Sequence, residues 1–75
     1  MPQPIRTSTS VHAVEVDGSL AYKIDYQDYI PDTLQRTAES VAMLQLFGKN
    51  PPNQIETRWI TNHCLLIIYD EVDDG

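Results

Sequence analysis

With 75 residues, the chain has room for one small domain, and a domain of that size buries only about 60% of the surface its unfolded form exposes. Hydrophobic residues make up 41%, which is globular usage. Eleven acidic against five basic residues give a net charge of −6, which argues against nucleic acid and anionic membrane as partners. A single cysteine, Cys64, excludes an internal disulfide and any multi-cysteine zinc site, so a partner subunit is the staple left open to so small a domain.

The opening stretch, MPQPIRTSTS, carries two prolines and four hydroxyl residues and no apolar h-region. It reads as a flexible arm over residues 1–9 and not as a secretory signal. A single α+β domain is expected over 10–70, followed by an acidic tail over 71–75. No apolar run approaches the ~18–20 residues needed to cross a bilayer. With a free cysteine and no N-x-S/T acceptor, the expected location is cytoplasmic.

VHAVEVDGSLAYKIDY holds two β-rich segments around Asp17-Gly18, a hairpin signal. His12, Val14 and Val16 share one strand face; Leu20, Tyr22, Ile24 and Tyr26 share one face of the next. A two-residue Asp17-Gly18 turn would oppose Val14 to Ala21 and set these apolar faces on opposite sides of the sheet. A three-residue loop, Asp17-Gly18-Ser19, would unite them, and is the expected connection on that ground.

A helix is expected from Thr33 to about Phe47, with Asp32 as N-cap, Gln35 completing a capping box, and Gly48 at the C-terminal cap before Pro51-Pro52. At about 100° per residue, Leu34, Ala38, Val41 and Gly48 form the core stripe, flanked by Ala42 and Leu44. Met43 and Phe47 project on the side of Arg36 and Glu39, and Leu46 widens that side. From Val41 to Phe47 only Gln45 is polar.

NQIETRWITNHCLLIIYDE predicts a second hairpin. A three-residue loop, Thr61-Asn62-His63, would oppose Trp59 to Leu65 and Ile60 to Cys64, placing Ile55, Thr57, Trp59, Leu65, Ile67 and Tyr69 on one face. The expected fold is α+β: an antiparallel sheet with one central helix packed on one face, in the order ββαββ. The alternative is ββαβ, with the last region as one kinked strand. The inner face would combine the second hairpin's apolar row with Val14, Val16, Leu20, Tyr22 and Ile24.

Catalytic chemistry finds little support. His63 adjoins Cys64, but neighbours on a strand face opposite ways, and His12 reaches Cys64 only if the first and last strands adjoin. Cys64 therefore reads as a buried, inert thiol. The run Asp70, Glu71, Asp73, Asp74 lacks calcium-loop spacing, because Val72 fills a ligand position and no closing glutamate follows Gly75. No G-x-S-x-G, G-x-G-x-x-G or Walker motif occurs. No enzyme activity, cofactor or metal is expected.

Both the helix C-terminus and the Cys64–Tyr69 run carry more apolar side chain than one helix-on-sheet layer covers. Such surplus marks an interface. The expected function is a small acidic protein-protein interaction module, a regulatory inhibitor or adaptor acting by binding, with a homodimer as its form and another protein, of basic surface, as its target. Met43, Leu46, Phe47, Trp59, Leu66 and Ile68 would supply the apolar contacts. Tyr26, Tyr29 and Asp28, in DYQDYIPD, would supply the rim. The alternatives are a structural subunit of a larger assembly and a nucleic-acid mimic that blocks a basic nucleic-acid-binding protein.

Overall fold

A computed structural model describes residues 9–71, so all but Thr9 of the expected arm over 1–9, and all but Glu71 of the expected tail over 71–75, lie outside the described residues; those two residues belong to the first and last strands. The order is β1 (Thr9–Val16), β2 (Ser19–Tyr26), α1 (Asp32–Phe47), β3 (Glu56–Thr61) and β4 (Cys64–Glu71). The four strands form one antiparallel sheet in the order β1-β2-β4-β3, with the helix on one face. This is the expected ββαββ arrangement, with the second hairpin split into two strands.

The first hairpin closes differently from expectation. Val16 pairs with Ser19 across a two-residue turn, and Val14 opposes Ala21. Asp17 at φ 51° and Gly18 at φ 82° both sit in the left-handed region, as a type I′ turn requires. Its twist suits the strands, and that preference outweighs any gain from uniting two apolar faces. His12, Val14 and Val16 therefore lie on the open face of the sheet. Thr9, Val11 and Ala13 share the helix side with Tyr22, Ile24 and Tyr26.

The second hairpin also closes with two residues, Asn62-His63, so that Thr61, and not Ile60, pairs with Cys64. Trp59 still opposes Leu65, because the register shifts between Trp59 and Thr61 and leaves Ile60 as an extra residue. The bulge restores the parity that a longer loop was expected to supply. A second irregularity lies between β2 and β4, at Leu20 and Ala21.

The helix starts one residue early and without a side-chain cap: Pro31, extended at ψ 157°, precedes it, and Asp32 already belongs to the first turn. Asp32 instead accepts hydrogen bonds from Gln35 Nε2 at 3.3 Å and Asn62 Nδ2 at 3.2 Å. It is a brace to the β3–β4 turn and not an N-cap. At the other end Gly48, at φ 65°, donates its N–H to the Leu44 carbonyl at 2.9 Å and stops the helix as expected.

The core combines Ile24, Tyr26, Ile30, Ala38, Ala42, Leu65 and Ile67, with Leu34, Met43, Leu46, Phe47, Ile55 and Trp59 packed against it. The helix is thus turned roughly a quarter turn from the expected stripe. Met43, Leu46 and Phe47 face inward, while Val41 and Leu44 are left outside, Leu44 66% exposed. Aromatic packing explains the choice. Phe47 meets Tyr69 at 5.4 Å and Tyr22 at 6.0 Å, and the two tyrosines stack at 4.8 Å across neighbouring strands.

This orientation separates two neighbouring substitutions. Phe47→Ala is expected to cost about 2 kcal/mol or more, somewhat under the fully buried range. Leu44→Ala is expected to stay within about 0.5 kcal/mol. Urea denaturation of the dilute chain distinguishes them; equal losses, or a larger loss at Leu44, would place the helix in the other orientation.

Candidate functional site

The run Cys64–Ile67 is buried on both sides of the sheet. Leu65 and Ile67 point under the helix. Leu66, 5% exposed, sits on the open face between Lys23 and Arg58, its partners on the two adjoining strands. Ile68 lies between Ala21 and Glu56, and Cys64 between Asp25 and Thr61. At Leu66 the neighbours on both sides, Lys23 and Arg58, have stems long enough to lie over it. Arg58 and Glu56 also pair with each other at 2.6 Å, in solvent, where an ion pair is worth about 0–1 kcal/mol.

The residues expected to make partner contacts are therefore distributed within the fold. Met43, Leu46 and Phe47 are half-buried against the core, Leu66 is buried, and Ile68 is half-buried. Trp59 is half-buried, its indole N–H donating to Glu39 Oε2 at 2.7 Å and its ring stacked on Tyr26 at 5.7 Å. Tyr26 is a core residue and not a rim residue. Only Tyr29 and Asp28 are exposed, Tyr29 lying edge-on to His63 at 5.9 Å. The ground for expecting Met43, Leu46, Phe47 and Leu66 at an interface was their lack of cover, and the fold supplies it.

Apolar surface is left elsewhere, on the β1 side of the helix. No β1 residue is buried, and Val11 is 46% exposed. A cleft of about 110 Å³ separates the helix from this edge, lined chiefly by Val11, Ile24, Ala38, Val41, Gln45 and Leu46. Val41 and Leu44 stand on its outer wall and beyond it. Sequence reasoning put Val41 and Leu44 in the core and did not single out Val11. The Asp17-Gly18 pair was the signal that places Val11 on the helix side.

β1 is also an edge strand. The turn makes Val16 and Ser19 a hydrogen-bonded pair, so Val14, His12 and Ser10 direct their main-chain groups to β2. The bond from Tyr26 N–H to the His63 carbonyl, 2.7 Å, agrees: even residues of β2 turn toward β4, odd ones toward β1. Thr9, Val11, Ala13 and Glu15 accordingly present N–H and C=O outward, where no described strand pairs with them. The same four side chains lie on the cleft side of the sheet.

The end of the molecule around the β3–β4 turn is tied down. Asn62 Nδ2 donates to the Ile30 carbonyl at 2.8 Å, Ile30 N–H donates to the Asn62 carbonyl at 2.8 Å, and His63 Nδ1 lies 3.2 Å from the Tyr26 carbonyl. On the open face, His12 Nε2 is 4.0 Å from Asp25, and β2 separates β1 from β4. Burial pushes the Cys64 thiol up from its ordinary pKa, and Asp25 adds to this by accepting its hydrogen and by its charge, with Lys23 opposing. A thiol held in its protonated form is a poor nucleophile. Among the described residues no three His, Cys, Asp or Glu side chains are grouped to hold a metal ion, and no helix is long and apolar enough to cross a membrane.

Comparison with known proteins places no relative beside this chain: no family model, curated protein or solved structure matches it.

Burial, and then the Glu39 charge, push the Tyr26 phenol up as well. Both raised groups favour the fold while neutral. Their contribution is complete below the ordinary thiol and phenol ranges and is lost as pH rises through the raised values. Stability is expected to hold through neutral pH and fall at strongly alkaline pH, less steeply in Tyr26→Phe. Near pH 8, close to the ordinary thiol value of about 8.5, Ellman's reagent should label Cys64 only after urea unfolding. Rapid labelling of the native chain would contradict the buried thiol.

Proposed function

We propose that this chain works by binding another protein and not by catalysis, as a small acidic inhibitor or adaptor that takes an extended apolar segment along β1. One observation carries this reading: Thr9, Val11, Ala13 and Glu15 turn their main-chain groups outward, and the Thr9 and Val11 end of that edge lines a largely apolar cleft. Strand addition uses both features together, the backbone for affinity and alternate side chains in the cleft for selectivity. The strand itself carries only Glu15 and His12 as ionisable groups. The segment it accepts is therefore chosen by shape and apolar content, while the net charge of −6 acts elsewhere on the surface. The free, buried Cys64 suits a reducing compartment such as the cytoplasm.

Among the described residues β1 lacks most of the devices that blunt a sheet edge: it holds no proline, no lysine and no register shift, and its one charge is Glu15, near the turn. The opposite edge, β3, is short, bulged at Ile60, charged at Glu56 and Arg58, and preceded by Pro51-Pro52. The contrast supports β1 as the binding edge.

A selection of randomised displayed peptides on the dilute chain tests this. Enriched peptides should alternate apolar residues and lose binding to Ala13→Pro, which removes an outward N–H that edge strands can spare. The Val11→Lys variant should lose it too. His12→Pro, which removes an N–H directed to β2, should instead lower the urea midpoint. Peptides that bind Ala13→Pro and Val11→Lys as well as wild type would overturn the reading.

A further inference from the structure

We infer that, until a target segment displaces it, the β1 edge is filled by β1 of a second copy, paired antiparallel about a two-fold axis at His12; this rests on the strand-addition reading above. Three features suit a copy of the chain: parity permits the pairing, the side chains of β1 fix its register, and the other edge ends it at two.

The first is parity. Any residue directly opposed across a strand pair shares its face, and on β1 the outward-bonding residues Thr9, Val11, Ala13 and Glu15 are also the cleft-side residues. A two-fold axis centred on an inward-bonding residue brings outward-bonding residues opposite one another, with both helices on the same side. Two four-stranded sheets then join into one of eight strands. The floor of each cleft is extended by the other copy's strand.

The second is the placement of side chains. With the axis at His12, Val11 opposes Ala13 of the other copy in both halves of the seam. Glu15 opposes Thr9 at each end, so the one carboxylate of the strand meets a hydroxyl and not another carboxylate. Moving the axis to Ala13 would set Glu15 against Val11. The His12 register is therefore the one in which the apolar pair forms twice.

The third is closure. An isologous contact uses one patch on both partners and ends at two copies only if no second edge propagates it. Here the remaining edge, β3, carries a bulge and the exposed Arg58–Glu56 pair. Pairing at β1 is thus expected to stop at the dimer and not extend into a fibre.

Each copy carries a net charge of −6, and the seam itself holds almost none of it. The dimer should tighten with added salt, because screening relieves repulsion between like-charged copies. A complex with a basic partner would respond in the opposite sense.

Sedimentation equilibrium of the full chain over a range of concentrations, at low and moderate salt, reads the association. A dimer favoured by salt is expected, and loss of the dimer in both Ala13→Pro and Val11→Lys, each checked for an unchanged fold by circular dichroism. His12→Cys in a Cys64→Ser background reads the register. The two opposed positions form a non-hydrogen-bonded pair with Cα atoms about 4.5 Å apart, within disulfide range, so diamide should convert it to a covalent dimer. A chain that stays monomeric throughout overturns the second copy as occupant, while peptide binding lost in Ala13→Pro would leave strand addition standing. A dimer unaffected by both edge variants overturns the β1 seam. Cross-linking at position 11 or 13 in place of 12 overturns the His12 axis.

Discussion

One helix cannot cover four strands. A helix is about 10 Å across and strands lie about 4.8 Å apart, so a single helix shelters about two of them. The rest of this structure follows from how the chain distributes that shortage. The helix sits where Tyr26, Leu65, Ile67 and the Tyr22–Tyr69 stack can surround it, over β2 and β4, with Trp59 reaching in from β3. β1 is left with no buried residue and with an open cleft beside it.

Two fixed points hold the helix there. At its start, Asp32 and Ile30 are bonded to Asn62 in the β3–β4 turn, so the connection from β2 cannot drift toward β1. Along its length, the Glu39 carboxylate takes the Trp59 indole hydrogen, a charge-assisted bond in a half-buried setting. Phe47 then closes the far end against the two tyrosines. These contacts all draw the helix toward the second hairpin. They convert an apolar surplus at Met43, Leu46 and Phe47 into core and expose Val41 and Leu44 in exchange.

The open face of the sheet meets the same shortage in another way. Leu66 and Cys64 are covered without a second layer, by Lys23 and Arg58 on either side of one and by Asp25 and Thr61 beside the other. A charged residue with a long apolar stem serves as a thin lid, and the central position of β4 makes that lid two-sided. β1, at the edge, has a neighbour on one side only, and its apolar side chains cannot be closed over in this way.

Strand and helix positions, the Gly48 stop and the ββαββ order were legible in the residues, because they rest on local chemistry: alternation in SLAYKIDY and CLLIIYDE, Pro-Pro after the helix, glycine where φ must be positive. The Asp17-Gly18 turn was legible too, though its strong local preference had to be weighed against a global argument about uniting apolar faces, and the local term prevailed. The rotation of the helix was not legible. From Val41 to Phe47 nearly every side chain is apolar, so the periodic pattern is flat there and no single stripe stands out. Only the aromatic partners on β2 and β4, distant in sequence, decide which face is inward. The uncovered β1 edge depends on that same choice, and so belongs to the tertiary structure alone: exposure is a property of what a side chain finally faces, and local residue order does not contain it.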